Sequence, residues 1–478
     1  MASGSTAPHA EGSQPRLSAK RRRKVWRWTT VIAVGGFLFG FDTGVVSGAL
    51  LFITPEFHLN AFEQGSVVSV LLLGAMAGGL GTGPVADRLG RRWTFGLEGA
   101  VFLLGTAIAA FATGYWPLLA ARLILGLAVG AASATVPVYL SEISPVQIRG
   151  RVLTLNQLMI TVGILVAYLV NLVFSGSGDW RAMFGVGGIP AVVMMTGAVW
   201  LLPESPDWLV IHGRVDQARA VFASVTDETT ADRLIARRRQ STGQGIRHAQ
   251  APRTGWPALV AARVRPALIV GLTLAAVQQF GGINTIIYYA PTIMRATGLT
   301  VSNSIFYSVA VGVINLVMTV VAIRLVDRAG RRPLLLVSLT GMTITLVLLG
   351  LSFVAGLSPI LSLVFMVLYI TAFAVGLGPV FWVLVGEVFP PAVRAAGSSA
   401  ATAMNWTSNF IVSLAFLGVA TAIGAGQTFW IFALVCAFAL WFVGRFVPET
   451  RNRDFDEVDA DLQARFGRHP RMKTAPAG

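Results

Sequence analysis

One carboxylate stands in an almost entirely apolar part of the chain. Asp42 follows the run 35–41, which contains only glycine, phenylalanine and leucine. A charged side chain in the middle of a membrane helix costs about 2.5–3.5 kcal/mol on insertion scales, so such a residue is a functional candidate. Arg122 also lies within an apolar stretch, about six residues after Trp116, and Asp42 lies about fifteen residues after Arg27, so both are at similar depth. The pattern predicts an ion pair.

Such a pair can exchange a proton. Burial favours the neutral carboxyl of Asp42, whereas a nearby guanidinium favours the carboxylate. A conformational change that varies the distance between Asp42 and Arg122 would therefore change the affinity for a proton. The alternative is a permanent structural pair that joins two helices.

Neutral amide side chains form a second group. Gln278, Gln279 and Asn284 share one apolar segment, and at 1.5 Å per residue Gln278 lies about 18 Å beyond Pro266, near the middle of a bilayer. Asn315 and Asn405 are expected at comparable depths. A neutral hydroxylated solute needs hydrogen bonds there to offset the loss of water, and amides supply donors and acceptors without charge. The alternative is that these amides bond one helix to another.

The elements that position these groups are membrane helices. The 478 residues are 54% hydrophobic and only 12% charged, whereas about a quarter of a soluble protein is charged. Apolar segments of about 20 residues, the length that spans a bilayer, recur twelve times. Lys and Arg collect in alternate loops, which predicts that these loops and both termini are cytoplasmic. The net charge of +15 is thus explained by the basic cytoplasmic loops, and no nucleic-acid partner is expected.

The charged loops also repeat. The motif Asp87-Arg-Leu-Gly-Arg-Arg92 recurs 240 residues later as Asp327-Arg-Ala-Gly-Arg-Arg332. Glu142, Arg149 and the motif that begins at Pro203 recur 245 residues later as Glu387, Arg394 and the motif that begins at Pro448. The near-constant offset predicts an all-α membrane protein with twelve transmembrane helices in two parallel six-helix repeats.

The predicted domain organisation has five parts. They are a disordered basic tail (1–24), a six-helix bundle (25–202), a cytoplasmic linker with short helices (203–265), a second six-helix bundle (266–447) and a cytoplasmic tail (448–478). Two amphipathic stretches of the linker, Val215–Ser224 and Ala231–Gln240, are expected to be helical.

Several dispersed motifs carry a family resemblance. They are Gly83-x3-Asp87-Arg-x-Gly-Arg-Arg92, Pro203-Glu-Ser-Pro206, Gln278-Gln-Phe-Gly-Gly-Ile-Asn284, Asp327-Arg-x-Gly-Arg-Arg332 and Pro448-Glu-Thr450. Over nearly its whole length the chain resembles the sugar porter branch of the major facilitator superfamily, which implies the major facilitator fold.

The resemblance implies roles for particular side chains. The positions implied to line a sugar site are Gln157, Gln278, Gln279, Asn284, Asn315, Trp382 and Asn405. Asp42 is implied to take and release a proton beside Arg122, and Tyr288 and Tyr289 are similar to the outer gate. The cytoplasmic gate network that the resemblance implies comprises Asp87, Arg88, Arg91, Arg92, Glu142, Arg149, Glu204, Asp327, Arg328, Arg331, Arg332, Glu387, Arg394 and Glu449.

Two further residues change the expected composition of this network. Glu98 is expected to join it from the third apolar segment. Asp207 stands where the family usually has a basic residue, so one ion pair is expected to be lost or reversed.

The expected function is import of a monosaccharide (hexose or pentose) or related polyol, driven by protons, by a monomer in the plasma membrane. Its expected partners are the solute, protons and the lipid bilayer, with no cofactor and no metal. An enzyme is not expected, because no metal-ligand cluster, nucleophile–base pair or phosphate loop is recognisable. The alternatives are a facilitative uniporter, an inositol–proton symporter, a drug–proton antiporter and a sugar sensor. Asp42 argues against the uniporter, since facilitative glucose transporters have asparagine there.

Overall fold

The computed structural model describes residues 18–145, 148–226, 228–236, 259–391 and 393–467. Within these ranges the regular elements are all helices. Twelve of the described helical segments are long and apolar enough to span a membrane, as predicted. They are Ala19–Phe57, Ala61–Leu89, Arg91–Ala110, Tyr115–Ile143, Arg149–Phe174, Trp180–Trp200, Arg265–Arg295, Val301–Val326, Arg331–Val354, Pro359–Val388, Ala396–Ile423 and Ala425–Phe446, and they are called spans 1 to 12 below.

The repeat is visible in the packing. In the first half, span 2 packs on span 4, span 1 on span 5, and span 3 on spans 4 and 6. The second half repeats this pattern, with span 8 on span 10, span 7 on span 11, and span 9 on spans 10 and 12. The two halves meet mainly where span 2 contacts span 11, span 5 contacts span 8 and span 1 contacts span 7. The predicted two-fold repeat is therefore confirmed at the level of helix contacts.

Glycine allows the closest of these approaches. A Cβ atom at Gly40 in span 1 would overlap the backbone carbonyl of Ile160 in span 5. A Cβ atom at Gly130 in span 4 would likewise overlap the backbone of Ala75 in span 2. Small residues let membrane helices pack at such short distances, because lipid supplies no hydrophobic force between them.

Span 7 is broken at its paired glycines, Gly281 and Gly282. It consists of the helices Arg265–Phe280 and Ile283–Arg295. Gly282 has φ +92°, a left-handed conformation that favours glycine. The carbonyl of Gly281 accepts a 2.7 Å hydrogen bond from the Tyr369 hydroxyl of span 10. A neighbouring span thus satisfies a carbonyl at the break, as the membrane interior requires.

The segments outside the spans are partly helical. The linker forms the helices Pro206–Ile211, Val215–Val225 and 228–236, so residues 237–240 of the second predicted stretch lie outside the described residues. The first helix begins at Ala19, inside the segment predicted as a tail. A further helix, Phe455–Arg465, lies after span 12.

The bundle has a basic end and an opposite end. The basic end is the one that carries the loops with Arg88, Arg149, Arg328 and Arg394. The opposite end carries the loops near His58, Gly114 and Gly298.

Candidate functional site

Asp42 and Arg122 form an ion pair inside the first half. Each residue is only 1% exposed. Nη1 of Arg122 donates to Oδ1 and Oδ2 of Asp42 at 2.8 and 2.9 Å. Its Nε donates to the Val67 carbonyl of span 2 at 2.9 Å, and its guanidinium lies 5.9 Å from the centre of the Phe184 ring. The arginine thus contacts spans 1, 2 and 6 from its place in span 4.

The two span 7 tyrosines make different contacts. Tyr288 interacts with the side chains of Thr43 and Asn409 and lies within electrostatic reach of Asp42 and Arg122. The hydroxyl of Tyr289 instead donates to the Ser413 carbonyl at 2.8 Å, within the second half. Tyr288 therefore brings span 7 close to the surroundings of the buried ion pair.

Four of the predicted amides form one hydrogen-bonded network in the second half. Asn284 donates to the Gln279 Oε1 at 2.8 Å, and Gln279 donates to the Asn405 Oδ1 at 3.1 Å. Asn405 in turn donates to the Gln278 Oε1 at 2.6 Å. Gln278 reaches the carbonyls of Leu377 and Gly378, at the break in span 10, at 3.2 Å each. The network connects both broken spans to span 11.

The other predicted sugar-site residues lie apart from these hydrogen bonds. Asn315 is 8% exposed, and Gln157 is exposed. Trp382 is 49% exposed and packs edge-on against Phe381 with ring centres 4.8 Å apart. No hydrogen bond described here joins these three side chains to the four amides, so their contribution to a sugar site stays a prediction.

At the basic end, Glu204 caps span 3. Its carboxylate accepts from the backbone N–H groups of Arg91, Arg92 and Ser205 at 2.7, 3.1 and 2.8 Å. Burial raises the pKa of Glu204. The side chain of Arg91 pairs with Asp87 at 3.0 Å and with Glu142 at 3.3 Å. A single glutamate thus fixes the start of span 3 to the segment that follows span 6.

Glu449 makes the equivalent cap on span 9. It accepts from the backbone N–H groups of Arg331 and Arg332 at 3.0 and 3.1 Å. Burial alone would raise the pKa of Glu449, but backbone N–H groups, first that of Arg451, hold it below the ordinary value. Arg331 pairs with Glu387 at 3.1 Å. The internal repeat therefore places an equivalent glutamate cap at the start of spans 3 and 9.

The remaining residues of the predicted network are mostly exposed. Those exposed at the basic end are Arg88, Arg149, Arg328 and Arg394. The side chain of Asp327 lies outside the described part of the structure. Asp207 is buried in the first turn of Pro206–Ile211, where a negative charge suits the helix dipole. The ion pairs Arg91–Glu142 and Arg331–Glu387 each join groups within one half.

Two described side-chain contacts between the halves lie at mid-depth and toward the opposite end. The Tyr168 hydroxyl of span 5 donates to the Ile287 carbonyl of span 7 at 2.7 Å. The Phe39 ring of span 1 lies 5.8 Å from the Trp406 ring of span 11, at mid-depth. The halves are thus joined at the opposite end. Sequence reasoning missed Tyr168, although a tyrosine deep within an apolar span was a usable signal.

Replacing Tyr168 by phenylalanine should weaken this closure. A neutral hydrogen bond contributes about 0.5–1.5 kcal/mol, so the population open at the opposite end should rise by roughly two- to tenfold. Spin labels on cysteines introduced at Thr113 and Ala296 would report the distance between the halves, since the one natural cysteine, Cys436, is buried.

Tyr115→Phe is the matched control, because its hydroxyl bonds to the Ser66 hydroxyl within the first half. Identical distance distributions for Tyr168→Phe and the unmodified protein would contradict the role of Tyr168.

Known proteins share this architecture. Residues 28–462 match the family described as Sugar (and other) transporter. The D-xylose transporter of Levilactobacillus brevis is 41% identical over 91% of this chain and 95% of its own length. The arabinose-proton symporter of Escherichia coli K12 is 37% identical over 94% of this chain and 96% of its own length.

Solved structures agree. The partially occluded, inward-open xylose transporter XylE from E. coli superposes with a TM-score of 0.79 at 30% identity, over 90% of this chain and 100% of XylE. XylE bound to 6-bromo-6-deoxy-D-glucose gives 0.74, over 92% and 99% of the two chains. The protein is a multi-pass membrane transporter and not an enzyme, and the chain belongs to the sugar (and other) transporter family.

Proposed function

We propose that the protein is a proton-coupled symporter that imports a monosaccharide, a hexose or pentose, or a related polyol. The observation that carries the proposal is the buried pair of Asp42 and Arg122. A carboxylate buried in a membrane helix is costly and is retained where a charge or a proton is used. The similar proteins named above include a D-xylose transporter and an arabinose-proton symporter.

The pair supplies the coupling step. While Arg122 holds both oxygens of Asp42, the carboxylate is favoured and the proton is released. Movement of span 1 relative to span 4 lengthens the contact and favours proton uptake. Tyr288 interacts with Thr43, next to Asp42, so movement of span 7 on solute binding changes the surroundings of the pair.

The amide network supplies the solute site. Gln278, Gln279, Asn284 and Asn405 bond to one another. A sugar hydroxyl both donates and accepts, so it can replace these bonds one for one. Amide groups carry no charge, which fits a neutral polar solute. We assign Gln157, Asn315 and Trp382 to the same site as further sugar contacts.

The orientation follows from the basic loops. We assign the basic end and both termini to the cytoplasm, because Lys and Arg are retained on that side of the membrane. The residues of the cytoplasmic gate network then lie at the inner mouth, and Tyr288 and Tyr289 at the outer gate. The protein acts as a monomer in the lipid bilayer of the plasma membrane.

Uptake into liposomes tests the proposal. Purified protein would be reconstituted and supplied with labelled D-xylose, L-arabinose, D-galactose, D-glucose or myo-inositol, with and without an inward proton gradient. We expect at least one sugar to accumulate above its external concentration only with the gradient, and a protonophore to abolish the accumulation.

Other outcomes reject the proposal in distinguishable ways. Equilibration without accumulation identifies a uniporter, and accumulation of inositol alone identifies an inositol symporter. No uptake of any compound of the panel by folded protein excludes sugar and polyol transport.

A further inference from the structure

A second carboxyl group is buried in the first half, away from Arg122. Glu98 in span 3 is 4% exposed. Its Oε1 accepts a 2.6 Å hydrogen bond from the Thr135 hydroxyl of span 4. Its Oε2 is buried and has no hydrogen-bond partner among the described groups. Glu98 therefore lies outside the network of Arg91, Glu142 and Glu204 to which its sequence position assigned it.

The surroundings of Glu98 are apolar. Phe95 and Phe102, about one turn away on either side, are 1% and 2% exposed. A Cβ atom at the adjacent Gly99 would meet the backbone of Ala191 and the side chain of Met194 in span 6. The nearest neighbours of the carboxyl thus provide a single hydroxyl donor.

The charged and titratable groups on the neighbouring spans are engaged elsewhere. Spans 1, 2, 4 and 6 pack against span 3. Asp42 and Arg122 bond to each other, and Glu142 pairs with Arg91. Other groups on these spans are bonded or exposed. Tyr139 bonds to the Pro203 carbonyl and Glu56 pairs with Arg181, whereas Lys24, Arg27, Asp87 and Arg88 are exposed.

Distance along span 4 separates Glu98 from the pair. Thr135, which marks the depth of Glu98, lies 13 residues from Arg122, or about 20 Å toward the basic end at 1.5 Å per residue. It lies about 10 Å from Glu142 by the same measure. Coulombic support from Arg122 is therefore weak, and no described cation contacts Glu98.

Charge and burial conflict at this position. An ionised carboxylate in an apolar interior costs several kcal/mol unless a cation or several donors compensate it. Glu98 has one donor, whereas Asp42 has a bidentate arginine. A proton on Oε2 removes the charge and leaves only an unpaired O–H, which is the smaller cost.

We propose that Glu98 is a second proton-binding site, which holds a proton on Oε2 in this conformation while Asp42 is ionised. The proton comes from solvent and forms the Oε2–H bond, and Oε1 keeps the hydrogen bond from Thr135. The site does not require the proposed symport by Asp42. It predicts that the first half binds one more proton than the ion pair accounts for.

Infrared spectroscopy tests this site without any transport measurement. The full-length protein in lipid at pH 7 should show the carbonyl stretch of a protonated carboxylic acid. We expect the difference between unmodified protein and Glu98→Gln to contain this band, because glutamine preserves the shape and the Thr135 contact. Asp42→Asn should leave the band in place. A missing band, or one that disappears with Asp42→Asn and persists with Glu98→Gln, would overturn the proposal.

A second variant covers the case in which Glu98→Gln does not fold. Thr135→Val removes the hydroxyl that bonds to Oε1, so the carbonyl band should move to higher frequency and keep its intensity. An unchanged frequency in monodisperse protein would show that the band arises elsewhere and would reject Glu98 as the site. Sugar counterflow of the same samples reports the proposed transport separately, so the two proposals fail independently.

Discussion

Asp42→Asn should abolish uphill accumulation of sugar while leaving exchange of sugar across the membrane. Asparagine has nearly the shape of aspartate and still offers an oxygen to Arg122, but it cannot take up or release a proton. Accumulation against a gradient should fall to the equilibrium level, and counterflow of labelled sugar should continue. Liposomes with an imposed pH gradient measure the first quantity, and preloaded liposomes measure the second.

Asp216→Asn is a suitable control, because Asp216 is an exposed carboxylate of the linker. It should behave as the unmodified protein in both assays. Undiminished accumulation by Asp42→Asn would assign the pair a purely structural role. Thermal unfolding of the purified variants separates that result from a loss of folded protein, since breaking a buried ion pair costs about 3–5 kcal/mol when a charge is left unpaired.

Gln279→Ala should weaken sugar binding strongly. Gln279 lies at the centre of the amide network, bonded to both Asn405 and Asn284. Its loss removes both of these hydrogen bonds and leaves the two neighbouring amides unsatisfied. At about 1–3 kcal/mol for each unsatisfied buried group, the dissociation constant should rise roughly 5- to 150-fold. Equilibrium binding or the apparent affinity in counterflow measures this change.

The amides could instead serve only to hold helices together. Gln279→Ala would then lower the unfolding temperature and leave the sugar affinity of the remaining folded protein unchanged. Asn303→Ala is the comparison variant, because Asn303 is exposed at the start of span 8, far along the helix from Asn315. It should change neither quantity.

The number of spans and the repeat were predictable from the sequence. Both depend on distances along the sequence, namely the length of the apolar segments and the number of residues that separate Asp87 and Glu142 from their counterparts in the second half. The contact of Asp42 with Arg122 was also within reach, because counting residues from the helix ends gives depth. Glycines mark both helix breaks, Gly281 and Gly282 in span 7 and Gly376 in span 10.

Other features depend on the direction in which each helix faces, which depth alone does not give. Glu98 lies about two turns from Arg91 along span 3, yet it points to Thr135 and away from the charged cluster. Asn315 is buried at a depth similar to that of the amides but shares no described hydrogen bond with them. The use of Glu204 as a cap depends on the path of the chain after span 6, which sets where that segment meets span 3.

The capping glutamates have a mechanical consequence. Glu204 and Glu449 each brace the basic end of one half with bonds that stay inside that half, so each half can turn as a stiff lever. The Phe39–Trp406 contact lies at mid-depth between them, and we expect the halves to pivot about it. A small tilt about this point separates Tyr168 from Ile287 at the opposite end. The same tilt brings the exposed arginines of each half closer to the other half at the basic end. The distance that each end moves then depends on its distance from the pivot. The packing inside each half need not change during the transport cycle.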